Sequence, residues 1–162
     1  MWLTKIIRSF LLCLNIILNN DTRLLRIKYK VDFIVYALLV KNGKVINTFH
    51  SGFASGRAPG RCLTMSDYNM GKSSHAEVSA LRWLDHNIRK TTKKESDVKR
   101  KTAKYSLIIY REDNKGNLAC AGPCSRCANI INRSGIKKVY YTVPGGCVRI
   151  DGRTVKGYTK NW

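Results

Sequence analysis

Apolar positions change their period along the chain, and each change marks an expected element. Leu3, Ile6, Ile7, Phe10, Leu11, Leu14, Ile17 and Leu18 recur at helical spacing, with Thr4, Lys5, Arg8, Ser9 and Asn15 largely between them. That pattern predicts an amphipathic first helix over residues 1–20. The same stretch also reads as the charged and apolar regions of a signal or anchor, although no small-x-small cleavage site follows. Val31 to Val40 is a run of branched residues, expected as a buried strand. Asn42–Gly43 then signals a hairpin, with Val45 to Phe53 as the partner strand. Gly56, Pro59, Gly60 and Gly71 mark a long loop over 54–73, whose length suggests a functional role.

Helical spacing returns at Val78, Leu81, Leu84 and Ile88, predicting a helix from about His75 to Lys90. Residues 89–104 hold almost no apolar side chains and read as a solvated linker or insertion. Tyr105 to Tyr110 is expected as a strand, Cys124 to Asn132 as a helix stopped by Gly135, and Ile136 to Val143 as a strand closed by Pro144–Gly145–Gly146. Two hairpin strands followed by helix, strand, helix, strand make an α/β domain. The crossover in its second half requires parallel strands. We read residues 1–162 as a single domain, with a basic insertion at 89–104 and a basic C-terminal tail at 144–162.

Charge changes the picture. The chain carries 30 Lys+Arg against 10 Asp+Glu, a formal +20. Self-repulsion on that scale calls for an anionic partner. No apolar stretch reaches the roughly 18 residues of a spanning helix; nucleic acid, an anionic membrane surface and a phosphorylated small molecule are the candidate partners, and composition does not choose among them. Arg89, Lys90, Lys93, Lys94, Lys99, Arg100, Lys101 and Lys104 form one cluster; Arg149, Arg153, Lys156 and Lys160, with Tyr158 and Trp162, form another. Each is either a solvated face or, with its aromatics, a surface for a single-stranded nucleic acid.

The six cysteines are unevenly spaced, and a chain this long buries enough surface to fold without disulfides. A reducing compartment, cytoplasmic or nuclear, is expected. Cys124 and Cys127 then form a metal or redox pair. Cys13, Cys62 and Cys147 are expected as buried small hydrophobes. His75, Cys124 and Cys127 offer one nitrogen and two sulfurs, a three-ligand set suited to catalytic Zn²⁺. A fourth ligand from Cys120, His50 or His86 would make the site structural instead. Zinc lowers the pKa of a coordinated water from about 16 to about 7, and Glu77 stands two residues from His75 as a proton carrier.

His75-x-Glu77 followed by Pro123-Cys124-x-x-Cys127 resembles the signature of the zinc-dependent cytidine/deoxycytidylate deaminase-like superfamily. HAEVSAL (75–81) is similar to the opening of that family's second helix. PCSRCANIINRSGIKKVYYT (123–142) resembles the block that follows in deoxycytidylate, cytidine and tRNA adenosine deaminases. The resemblance covers residues 31–143 and points to a divergent branch, viral or protist. It implies a three-layer α/β/α fold with a central mixed sheet and a zinc site at helix N-termini. It also implies His75, Cys124 and Cys127 on the metal, Glu77 as general acid/base, the backbone of Ala76 against the base, and a homo-oligomer. The implied reaction is hydrolytic deamination of cytosine in a nucleoside or nucleotide. The alternatives are editing of single-stranded RNA or DNA, or a non-catalytic fold that binds nucleic acid.

Three departures bear on the substrate. His75 and Cys124 lie 49 positions apart, wider than is usual in the family, and the excess is the basic stretch 89–104. Residues 118–122 lack the family's usual pattern before Pro-Cys. For the family's substrate-binding asparagine, Asn47 and Asn69 are both candidates.

Overall fold

A computed structural model describes residues 35–53, 73–113 and 115–157. The expected first helix, signal or anchor over 1–20, most of the 54–73 loop, Cys13, Cys62 and Asn69 lie outside them. Strands β1 (Val35–Lys41) and β2 (Lys44–His50) form the expected hairpin. Asn42 and Gly43 have φ of 52° and 75°, the paired left-handed conformations that a tight two-residue hairpin turn demands. Pairing jumps from Leu39↔Asn47 to Val40↔Val45, so Ile46 is the extra residue of a bulge and projects 44% exposed. The expected partner strand is split: β3 (Gly52–Phe53) pairs instead with β4 (Ser73–Ser74).

Helices α1 (Ala76–Arg89), α2 (Glu95–Thr102) and α3 (Ser125–Ser134) alternate with β5 (Tyr105–Arg111), β6 (Lys138–Val143) and β7 (Gly146–Asp151). The main sheet runs β2-β1-β5-β6-β7. β5 and β6 are parallel, as the α3 crossover requires, and the other neighbours are antiparallel. This is the expected α/β fold with a central mixed sheet, here of five strands.

Strand alternation sorts the core into two faces. Val35, Ala37, Leu39, Leu107, Ile109, Val139 and Tyr141 point to one, where they meet Ala80, Leu81, Leu84 and Ile88 of α1 and Ala128, Ile130 and Ile131 of α3. Each of these large aliphatic side chains contributes about 1.5–3 kcal/mol on burial. Tyr36, Leu38, Val40, Ile108 and Tyr110 form a second cluster on the opposite face, with Tyr140 packed against it. Tyr140 and Tyr141 therefore part to opposite faces, Tyr141 fully buried and Tyr140 half-buried.

Three expectations need correction. Residues 89–104 are not a solvated linker, because their middle forms α2. Val98 and Thr102, one turn apart, are buried, and Val98 joins the main core. Arg89 ties the junction, reaching Asp85 at 2.9 Å and Glu95 at 2.8 Å. Pro144–Gly145 does not end the sheet either; it turns the chain into β7, so part of the expected basic tail is a strand. Cys147 lies on that strand and is exposed rather than buried. No helix among the described residues is long and apolar enough to cross a membrane.

Candidate metal centre

Two helix starts converge on one point. His75 is the N-cap of α1: its backbone is extended (φ −75°, ψ 141°), and its carbonyl accepts the first helical N–H, from Ser79, at 3.1 Å. Cys124 is the N-cap of α3 in the same manner, its carbonyl accepting from Ala128 at 2.8 Å. Neither side chain caps its own helix, so both are left to point at each other. Cys127, one turn into α3, presents its sulfur from the same side.

The ligand atoms of His75, Cys124 and Cys127 all lie within 4.8 Å of one another. The Nδ1 atom of His75 stands 3.2 Å from Cys127 Sγ and 3.7 Å from Cys124 Sγ. A tetrahedral zinc with Zn–N near 2.0 Å and Zn–S near 2.3 Å places nitrogen and sulfur about 3.6 Å apart. The donor set and spacing therefore suit zinc, and Nδ1 is the nitrogen presented. Burial grades across the set: Cys127 is buried, Cys124 half-buried and His75 exposed, which leaves one side of the cluster open. The hydrogen bond with Cys127 holds the Cys124 thiol down to about 3, His75 adding to the effect and burial opposing it. Thiolate is the ligating form, and a helix N-terminus favours it.

Glu77 sits in the first turn of α1 and is only 5% exposed. It falls on the same inward stripe as Ala80, Leu81 and Leu84, an unusual place for a carboxylate. Ala76, between His75 and Glu77, is fully buried. Cys120 and His50, whose ring bonds the Ser51 carbonyl, are exposed, His86 is half-buried, and all three lie outside the cluster. The three-ligand set thus has no fourth protein ligand among the described residues. Asn47 lies in β2, where its Oδ1 accepts the Thr48 N–H at 2.8 Å.

Three supports of the site escaped sequence reading. Thr142, 2% exposed on β6, donates its hydroxyl to the Ala119 carbonyl at 2.8 Å and accepts the Arg111 N–H at 3.1 Å. Its carbonyl accepts the Ala121 N–H at 2.9 Å, so one residue anchors the approach to Cys124. A hydroxyl in an otherwise apolar strand was the available signal. The second support is Asn132 on α3, which holds Val155 from both sides: its Nδ2 donates to the Val155 carbonyl and its Oδ1 accepts the Val155 N–H. The third is Gly157, whose backbone then lies against Ser125, where an added Cβ would come within 2.1 Å of the Ser125 Cα. The chain after β7 is thus strapped over the start of α3, beside Cys124.

The family profile for the cytidine and deoxycytidylate deaminase zinc-binding region matches residues 25–143. Among solved structures, the dCMP deaminase of the cyanophage S-TIM5 in complex with dCMP and dUMP is 25% identical with a TM-score of 0.38, over 66% of this chain and 63% of that one. Its apo form gives 25% and 0.37, over 66% and 64%. The chain therefore spans less than two thirds of that enzyme's length. No curated protein sequence matches. With more than half of its length matched by the family profile, the chain belongs to the cytidine and deoxycytidylate deaminase family.

Proposed function

We propose that the chain deaminates cytosine hydrolytically, in a nucleoside or nucleotide, with His75, Cys124 and Cys127 holding zinc. The observation that carries this reading is the convergence of those three ligand atoms within 4.8 Å, two residues from a buried carboxylate. When bound, zinc supplies the Lewis acidity that makes water a nucleophile near neutral pH.

The remaining work falls to the chain. Glu77 takes a proton from the attacking water and passes it to the ring nitrogen beside the amine-bearing carbon. It then carries the second proton, from the hydroxyl added to that carbon, to the leaving amine. A C–O bond forms, the C–N bond breaks, and the products are uracil and ammonia. A carboxylate buried in the first turn is held in one place and shielded from bulk water, as a proton carrier must be. We assign contact with the base to the backbone of Ala76, which lies between His75 and Glu77, and entry of the base to the exposed side of His75.

The test uses zinc-loaded protein and a panel of cytidine, deoxycytidylate, guanine, and single-stranded RNA and DNA, read by mass spectrometry and ammonia release. Conversion of a cytosine substrate is expected. Glu77→Gln keeps its zinc by elemental analysis and loses at least the roughly 10²–10⁴-fold that a general acid/base supplies. An active Glu77→Gln protein, or zinc-loaded wild type inert on every cytosine substrate, overturns the reading.

A further inference from the structure

The two basic stretches that the sequence holds apart meet on one face of the fold. Lys99 and Arg100 of α2, Arg133 at the end of α3, Lys137 just before β6, and Arg153 just after β7 line a single groove of about 490 Å³. Two carboxylates offset part of this charge: Asp97 pairs with Arg100 at 3.1 Å and Asp151 with Arg153 at 2.6 Å. The side chains of Lys99, Arg133 and Lys137 make no hydrogen bond or ion pair among the described residues.

Cations in the last turn of a helix offset its dipole, and that accounts for Lys99, Arg100 and Arg133 at about 0.3–1 kcal/mol each. It does not account for Lys137 and Arg153, which lie outside the helices and still face the same groove. The wall is also tightly built. Gly135 ends α3 at φ 88°, and a Cβ there would stand 3.2 Å from the Lys99 Cα and 3.3 Å from its Cβ and Cγ. The bare glycine lets α2 close on α3 and lays the Lys99 stem along the groove.

We propose that this groove binds the phosphodiester backbone of a nucleic acid. The lining selects for phosphate and against a base. It contains no aromatic side chain for stacking. Its one amide, Asn132, has its oxygen and nitrogen both engaged by Val155. The groove lies at the opposite end of α3 from Cys124, about 14 Å away along a ten-residue helix. It is thus separate from the metal centre, and its occupancy does not depend on the reaction proposed there.

The experiment is fluorescence anisotropy of labelled oligo-dT and oligo-U with the zinc-loaded full chain, between 50 and 200 mM salt. Each phosphate neutralised on a single strand contributes about −0.7 to the log–log salt slope. Lys99→Ala/Arg133→Ala/Lys137→Ala flattens the slope by about 2.1 and weakens binding at least tenfold at the lower salt. Lys44→Ala/Lys93→Ala/Lys115→Ala removes the same charge from exposed positions off the groove and retains most of the affinity. Zinc content and the urea midpoint check the fold. Arg133→Glu and Lys137→Glu, both at exposed positions, each weaken binding if the triple variant fails to fold. Equal losses in the two triple variants overturn the proposal. So does displacement of the strand by inorganic tripolyphosphate at matched phosphate concentration, which marks a small-anion site.

Discussion

Replacing Thr142 by valine keeps the shape of the side chain and deletes one oxygen. In a buried strand position that deletion strands two backbone groups, the Ala119 carbonyl and the Arg111 N–H, which bond the hydroxyl at 2.8 and 3.1 Å. An unsatisfied buried partner costs about 1–3 kcal/mol. Both residues are half-buried, so the lower end applies to each, about 2 kcal/mol in total. With a urea dependence of about 2 kcal/mol per molar, the unfolding midpoint falls by about 1 M. The damage is also directional. Residues 119–121 lead to Pro123 and Cys124, and Thr142 is their tie to β6. Zinc affinity therefore falls in Thr142→Val by more than the global loss of stability explains, as measured by competition with a colorimetric chelator. Thr142→Ser keeps the oxygen and gives up only a methyl group, so it retains zinc. If the valine and serine variants share one urea midpoint and one zinc affinity, the hydroxyl is not the anchor and the reasoning is refuted.

Gly157→Ala pushes a methyl group to 2.1 Å from the Ser125 Cα and 2.5 Å from its nitrogen. Because Asn132 pins Val155 from both sides, the strap has little room to slide. We expect about 1–3 kcal/mol of destabilisation and faster zinc release; an unchanged release rate means that the strap does not bear on Cys124. Removing zinc with a chelator lowers the thermal midpoint, since metal at 100 times its Kd stabilises the folded state by about 2.7 kcal/mol. Cys124→Ala shows no zinc-dependent shift in midpoint, and a full shift in that variant excludes Cys124 as a ligand. Asp151 is held down to about 2 by the Arg153 guanidinium and N–H. A depressed carboxyl contributes stability above its unfolded value near 3.9 and loses it as pH falls toward about 2. Arg153→Ala should return its titration toward the usual range in carboxylate ¹³C NMR, and an unmoved midpoint argues against the pairing.

The candidate metal centre was legible because its residues are local in sequence. His75 and Glu77 are two residues apart, Cys124 and Cys127 three, and each pair opens a helix that apolar spacing announces. The parallel β5–β6 pair was legible for a similar reason, since a strand, a helix and a strand in series leave few ways to connect. Thr142, Asn132 and Gly157 were not legible, because each acts on a segment distant in sequence. Nothing near Thr142 shows that Ala119 will need a donor, and nothing near Gly157 shows that Ser125 will approach it. β7 was hidden by its own turn: Pro-Gly-Gly reads as a terminator, and the same residues make a two-residue hairpin when a free strand edge stands ready.

The helix α2 shows why composition misleads in a charged segment. Eight of the sixteen residues from 89 to 104 are basic, and a chain of that kind cannot bury enough surface to order itself. It is not left to itself. Val98 and Thr102 give it one buried stripe, Arg89 bridges Asp85 and Glu95 across the junction with α1, and the bare Gly135 admits it against α3. Its acids, Glu95 and Asp97, fall in the first turn and its bases Lys99, Arg100 and Lys101 in the last, the order that the helix dipole favours. Docking to an existing core thus supplies what the segment's own composition lacks. The same docking fixes its cations: Lys99 and Arg100 in a solvated linker would sample many positions, whereas on a packed helix they face Arg133, Lys137 and Arg153 across one groove. The residues between the His75-x-Glu77 and Cys124-x-x-Cys127 motifs therefore shape the surface of the fold while leaving the spacing of His75, Cys124 and Cys127 fit for zinc.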